Sequence, residues 1–262
     1  MNTEPGEKWL FIFAHPDDDS LICGSMRLIK ERGGDVHAVW LVSGLSPRGI
    51  KVREKEVQSA MDLVGISRKN RYFLRLPVCF LLNFSYSKKR LFPLVDSINP
   101  AKIVVPAFEG GHVDHDATNF LGVESAKHLT TRNPNIIVYE YPLYNGDGPV
   151  WRWWWNINVF PSGVHGAGET QYTSLLDPVI DLKYQLMKTY KSQWMYMIPA
   201  RIACSRTRLR KQGEPFRLVS LDRNFTVRPH RGKLNTERWF NFWMGTSFSE
   251  FTELTTKAKT ES

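Results

Sequence analysis

Cysteine is scarce: the chain has three, Cys23, Cys79 and Cys204, and no CxxC spacing. That excludes a disulfide-stapled scaffold and a cysteine-ligated zinc site, and leaves buried thiols as the plain reading. Long apolar runs are missing too, none approaching the roughly 18 to 20 residues that a membrane helix needs. The opening stretch MNTEPGEKWLFIFAH has neither a basic n-region nor a cleavage site, so a cytoplasmic location is expected. Acidic residues are the minority charge, 26 against 35 Lys and Arg, for a formal net charge of +9. An anionic partner is compatible with this excess, but charge alone does not name it. Much of the excess lies in RIACSRTRLRK, residues 201–211, where a solvated basic face competes with a phosphorylated ligand, a membrane surface or nucleic acid. Hydrophobic residues at 42% and charged residues at 23% exclude a disordered chain, and 262 residues suit one sizeable α/β domain, with or without an appendage.

Along the chain, short apolar runs alternate with helical patterns. WLFIFA, VHAVWLVS, YFLRL, IVVPAF and IIVYEYPL read as five strands. LICGSMRLIKERG, VREKEVQSAMDLVGI, LFPLVDSINP and DHDATNFLGVESAKHL read as the intervening helices, the third a short one ended by Pro100. Strands separated by helices pair in parallel with right-handed crossovers, so the expected fold is a doubly wound, mostly parallel, Rossmann-like α/β sheet. The expected division is an α/β domain over residues 1–195 and a basic, aromatic-containing C-terminal extension, residues 196–262, packed on the same domain.

In such sheets ligands bind beyond the carboxyl ends of the strands. Two polar clusters fall there: HPDDD, residues 15–19, after the first strand, and EGGHVDHD, residues 109–116, after the fourth. Three adjacent carboxylates at the end of a buried strand repel one another and lose solvation unless a positive charge offsets them. One histidine and one aspartate from the first loop with one histidine from the second make a two-His, one-carboxylate set that can hold a divalent ion with open positions. A remaining aspartate is left free to act as a base. Each element alone has a bland reading, a structural histidine or a helix-capping carboxylate. Their coincidence at two strand ends favours a metal site.

AHPDDD before a helix, with HVDH after a later strand, resembles the LmbE-like or PIG-L family of metal-dependent N-acetylglucosaminyl deacetylases. VREKEVQSAMDLVGI is similar to that family's Arg-x-x-Glu helix ending in Leu-Val-Gly, and KYQLMKTYKSQ, residues 183–193, to a segment ending in Tyr-x-Ser-Gln. The resemblance covers most of residues 8–195. It implies that His15, Asp18 and His115 bind zinc, that Asp17 is the general base, that His112 stabilises the oxyanion or protonates the leaving group, and that Asp114 orients a neighbouring histidine. Arg53 would contact substrate; its bland alternative is an ion pair with Glu56. The implied activity is zinc-dependent hydrolysis of the acetamide of an N-acetylglucosamine-type conjugate, an anionic one being compatible with the charge, and Fe²⁺ suits the same ligands. Two departures stand out: Asp19 where the family often has Glu, and Gly24-Ser25 where Gly-Gly is common.

Two other function classes compete. A DxD-type sugar transferase would use Asp17 and Asp19 with a metal but gives no reason for HVDH. A non-catalytic glycan-binding module would use WRWWW, residues 151–155, whose plain reading is a loop closing over the sheet. His165, and the aromatic group Trp239, Phe240, Phe242 and Trp243, have loop and anchoring roles as their plain readings. No nucleic-acid partner is expected, and the oligomeric state is not legible.

Overall fold

The computed structural model describes residues 1–78, 83–147, 156–163, 166–232, 234, 237 and 247–260. Cys79, the WRWWW cluster, His165 and the aromatic group at 239–243 lie outside the described residues. The five expected strands are β1 (Lys8–Phe13), β2 (Asp35–Trp40), β3 (Arg71–Phe73), β4 (Lys102–Pro106) and β5 (Ile137–Tyr141), and two more follow, β6 (Gln171–Thr173) and β7 (Glu214–Val219). The sheet order is β3-β2-β1-β4-β5-β7-β6. β1 to β5 pair in parallel, whereas β7 is antiparallel to both β5 and β6. The doubly wound, mostly parallel architecture expected from the alternating pattern is therefore present.

Helices α1 (Cys23–Glu31), α2 (Pro47–Val64), α3 (Phe84–Ile98), α4 (Val113–Leu129), α5 (Asp177–Thr189), α6 (Trp194–Ala203), α7 (Arg206–Gln212) and α8 (Phe248–Thr260) flank the sheet. The pleat assigns their partners. Trp9, Phe11 and Phe13 of β1 point into the core shared with α1, α2 and α5, while Leu10 and Ile12 point into the core shared with α3, α4 and α8. All five are fully buried, which is why the strand reads as an unbroken apolar run instead of an alternation. Complete burial of each is worth about 1.5–3 kcal/mol relative to exposure.

Two helices begin earlier than their apolar pattern suggests. α2 starts at Pro47, because the Ser46 side chain accepts the Gly49 N–H and proline pre-sets the first helical φ, so Arg53 lies well inside the helix and not at its start. α3 starts at Phe84 behind an Asn83 cap and ends at Ile98, with Asn99 left-handed at φ 50°.

Because the chain order reverses between β1 and β4, a crevice opens beyond their carboxyl ends. Both polar clusters leave from that point. On the far side of β4, Glu140 of β5 is fully buried and accepts hydrogen bonds from Arg217 Nε of β7 at 2.6 Å and Arg223 Nη2 at 2.9 Å. These contacts fasten the antiparallel end of the sheet to its parallel part. Burial alone would raise the Glu140 acid, yet the two guanidinium groups hold it at about 2, below its ordinary 4.5. A carboxylate whose folded value is depressed adds stability that is complete above its unfolded value and is lost as pH falls through the folded one. Comparative unfolding of wild type and Glu140→Gln should therefore show a stability gap that is widest above about pH 4.5 and narrows toward pH 2, by on the order of 3 kcal/mol. A gap that stays constant over that range would refute the ionised pairing.

Candidate metal centre and active site

β1 ends at Phe13, and the chain turns through His15-Pro16-Asp17 into a single 3-10 turn, Asp18–Leu21. Asp17 takes φ 102°, a left-handed conformation that costs a non-glycine residue energy and recurs where function holds a side chain in place. Asp18 folds back, its Oδ2 accepting the His15 backbone N–H at 2.8 Å. In the second loop, Asp116 Oδ1 accepts the backbone N–H groups of Glu109 and Gly110 at 2.9 and 3.1 Å. Glu109 Oε1 in turn accepts those of Leu143 and Tyr144, both at 2.8 Å. Gly111 has no alternative: a Cβ there would lie 1.8 Å from the Tyr144 carbonyl oxygen.

These loops bring the predicted residues together. His15 Nδ1 and His115 Nε2 are 3.3 Å apart, and His115 Nε2 is 3.3 Å from Asp18 Oδ1. A tetrahedral ion with bonds of about 2.0–2.1 Å has ligand atoms about 3.3–3.4 Å apart, so these spacings match the edges of such a polyhedron. His15 Nε2 donates to Asp114 Oδ2 at 3.0 Å, which in the neutral ring leaves the Nδ1 lone pair facing inward. A carboxylate behind a ligating imidazole is the usual orienting arrangement of metal centres. The donor set fits a divalent ion on geometry and chemistry alike.

His112 is adjacent but differently engaged. One nitrogen from each of His15, His112 and His115 falls within 4.8 Å of the others, so a three-histidine set is conceivable. However, His112 is the N-cap of α4, and its Nδ1 accepts the Asp114 backbone N–H at 3.0 Å. Burial, reinforced by the His15 and His115 imidazoles, lowers His112 to about 3, so it is neutral at pH 7. With Nδ1 accepting, the proton must sit on Nε2, making that atom a donor and not a ligand.

The electrostatics separate the two aspartates. Burial pushes both carboxyl groups up. At Asp18 the His115 and His15 imidazoles reverse this and hold it at about 2. At Asp17 burial prevails over the Arg53 guanidinium, with Asp18 adding repulsion, and the group stands at about 8. For His15, burial acts downward, but the hydrogen bond from its ring to Asp114 and the charges of Asp18 and Asp114 carry it above its ordinary value. Arg53 Nη2 donates to the Pro16 carbonyl at 2.7 Å and to Asp17 Oδ1 at 3.3 Å, so its carboxylate partner is Asp17. Glu56 instead accepts the Ser192 N–H and hydroxyl, at 2.8 and 2.6 Å.

Several supporting residues escaped the sequence reading. Asp19 accepts Trp40 Nε1 at 3.0 Å and the Tyr190 hydroxyl at 2.6 Å, which gives the shorter acid a defined place. Glu214 of β7 reaches the start of α1, accepting the Gly24 and Ser25 N–H groups at 3.0 and 2.6 Å and the Ser25 hydroxyl at 2.7 Å. The serine of the Gly24-Ser25 departure is thus a hydrogen-bond donor, while a Cβ at Gly24 would press on Glu214 and Leu175 at 2.9 Å. Lys183 of α5 donates to Glu214 and to the Ser20 carbonyl, both at 2.7 Å. A signal for it existed: Lys183 shares the buried stripe of α5 with Val179, Ile180, Leu186 and Met187, and a charge in such a stripe requires a buried partner.

Residues 10–126 match the protein-family model described as PIG-L, GlcNAc-PI de-N-acetylase. The match spans a little under half of the chain. The matched span runs from β1 into α4 and contains both polar loops. Solved structures resemble the fold over about four-fifths of the chain. The zinc-inhibited form of the teicoplanin deacetylase Orf2 aligns with TM-score 0.61 and 15% identity over 80% of this chain and 97% of its own. N,N'-diacetylchitobiose deacetylase from Pyrococcus horikoshii aligns with TM-score 0.59 and 18% identity over 82% and 84%. GalB, the 4-carboxy-2-hydroxymuconate hydratase from Pseudomonas putida KT2440, aligns with TM-score 0.57 and 14% identity over 81% and 95%. A hydratase on the same fold means that the reaction of this chain has to be argued from its own site. No curated protein matches the chain. Among the described residues no helix is long and apolar enough to cross a membrane.

Proposed function

We propose that the protein is a divalent-metal-dependent N-deacetylase that removes acetate from an N-acetylated amino sugar, with zinc as the first candidate metal. The observation that carries this reading is the spacing of His15 Nδ1, His115 Nε2 and Asp18 Oδ1 at 3.3 Å steps, with a second, unliganding carboxylate, Asp17, next in sequence. His15, Asp18 and His115 would hold the ion, and Asp114 would orient His15. When bound, the ion supplies an acidified water, polarisation of the acetamide carbonyl and a charge that draws Asp17 toward its ionised form.

The residues of the chain do the rest. Asp17, fixed by Arg53, accepts the proton of the attacking water. His112 Nε2–H donates to the oxygen that becomes negative as the carbonyl turns tetrahedral, and because the ring is neutral it does so without adding a second cation to the site. Asp17, whose surroundings favour its protonated form, then returns the proton to the amide nitrogen. The C–N bond breaks, and acetate and a free amine leave. Arg53 Nε, buried and without a partner among the described residues, is a candidate contact for a substrate hydroxyl or carboxylate. The deacetylase family match and the teicoplanin and chitobiose deacetylase folds support an amino-sugar substrate.

The test is acetate release from a panel of N-acetylglucosamine conjugates, neutral and anionic, with zinc and separately with anaerobic ferrous iron. His15→Ala, Asp18→Ala and His115→Ala are each expected to retain far less than one metal equivalent after dialysis, because two protein ligands hold such an ion poorly. His112→Ala should keep its metal and lose turnover. Full metal in all three ligand variants, or a metal-free His112→Ala, would overturn the assignment.

A further inference from the structure

α6 is turned inside out relative to an ordinary surface helix. Met197 and Ala200 are buried, but Trp194, Met195, Tyr196, Ile198 and Ile202 are each 50–65% exposed. Met195, Ile198 and Ile202 follow one another at helical spacing and form a continuous outer stripe. Single exposed apolar side chains need no explanation; five on ten residues do.

The segment that carries this helix is charged with one sign only. From Lys188 to Lys211 the sequence holds Lys188, Lys191, Arg201, Arg206, Arg208, Arg210 and Lys211 and no Asp or Glu. Arg206 and Arg210 are matched by Asp181 and Asp177 from outside the segment. Lys188, Lys191, Arg201 and Lys211 have no carboxylate within ion-pair distance among the described residues.

The position of the helix is also defined. The turn before it is tied to the site's supporting residues, Tyr190 to Asp19 and Ser192 to Glu56. Asp19 directly follows Asp18 in sequence, and Glu56 lies one helical turn from Arg53 on α2. α6 therefore starts directly after a turn that is held against the supports of the site.

We infer that α6 is a membrane-surface docking element, its outer face seated in the headgroup region of an anionic bilayer while the flanking lysines and arginines contact acidic headgroups. Tryptophan, tyrosine and long aliphatic side chains rimmed by cations are the composition that partitions into that region. A ten-residue helix is about 15 Å long, half of what a span needs, so it lies on the surface. Self-association through the same face is disfavoured by the charges, since a two-fold contact would bring the unpaired cations of two copies together. This inference stands independently of the reaction.

The full chain should co-sediment with vesicles of phosphatidylcholine carrying roughly one-fifth phosphatidylserine, bind far less to phosphatidylcholine alone, and be released as salt rises. The triple variant Met195→Ser, Ile198→Ser, Ile202→Ser alters only exposed or half-exposed side chains. It is expected to bind on the order of 100-fold more weakly at unchanged melting temperature. Hydrogen exchange on the wild type gives an arm that needs no variant: vesicles should protect residues 194–202. Absence of binding at low salt, equal binding to both vesicle types, or protection elsewhere with none on α6 would overturn the proposal. So would sedimentation velocity showing a dimer that the triple variant dissociates.

Discussion

Asp17→Asn is expected to keep its metal and lose about 10² to 10⁴-fold in kcat at neutral pH, the range spanned by general-base contributions. Adjacent aspartates cannot be ranked from sequence spacing alone, but their contacts differ. Asp18 faces His115 Nε2 at 3.3 Å and is held from behind by the His15 N–H, whereas the side chain of Asp17 meets Arg53. Asparagine is nearly isosteric and can still accept from Arg53, so the loop should survive; it cannot take a proton. Asp18→Asn should instead lose metal and activity together. Metal analysis and kcat on the two variants side by side decide the matter: loss of metal in Asp17→Asn with retention in Asp18→Asn reverses the roles, and full activity in both removes the proposed base altogether.

What the sequence revealed and what it hid follow from local chemistry. β1 to β5 were legible because strands covered on both faces must be apolar throughout and are separated by helices with a different period. β6 and β7 were not. QYT is too short to carry a pattern, and EPFRLV begins with a proline-bearing edge-like signature and contains Glu214 and Arg217, two charges that are buried because distant partners neutralise them. The two polar loops stood out in the sequence because imidazoles and carboxylates rarely cluster at strand ends without a shared task, and the fold brings His15, Asp18, His112 and His115 together. The roles of their supports were hidden: Tyr190 stood out in the Tyr-x-Ser-Gln segment but without a task, Trp40 and Glu214 are individually ordinary, and all three act here only through the fold. His112 shows the limit of motif reading most clearly: spacing makes it a plausible ligand, and only its capping of α4 determines which nitrogen carries the proton.

The second large effect lies behind the loop. Lys183→Met should destabilise the protein by about 3–5 kcal/mol, the usual cost of removing one partner from a buried ion pair. Lys183 and Glu214 are both fully buried, and methionine fills much of the lysine volume, so the loss is one of charge and hydrogen bonds more than of packing. Burial works against the Lys183 ammonium, but the Glu214 charge outweighs it and holds the group above its ordinary value. Without the ammonium, Glu214 faces only the Gly24 and Ser25 donors, and the Ser20 carbonyl loses its partner. For a domain of this size the change corresponds to a fall in Tm on the order of 10 °C. The double variant Lys183→Met, Glu214→Gln removes the stranded charge while leaving an oxygen to accept from α1, and should recover at least about 1 kcal/mol relative to the single variant. Urea denaturation of the wild type, the single and the double variant measures both quantities. A single variant within about 1 kcal/mol of wild type, or a double variant no better than the single, would mean that the pair does not brace the Ser20 turn in the way its geometry indicates.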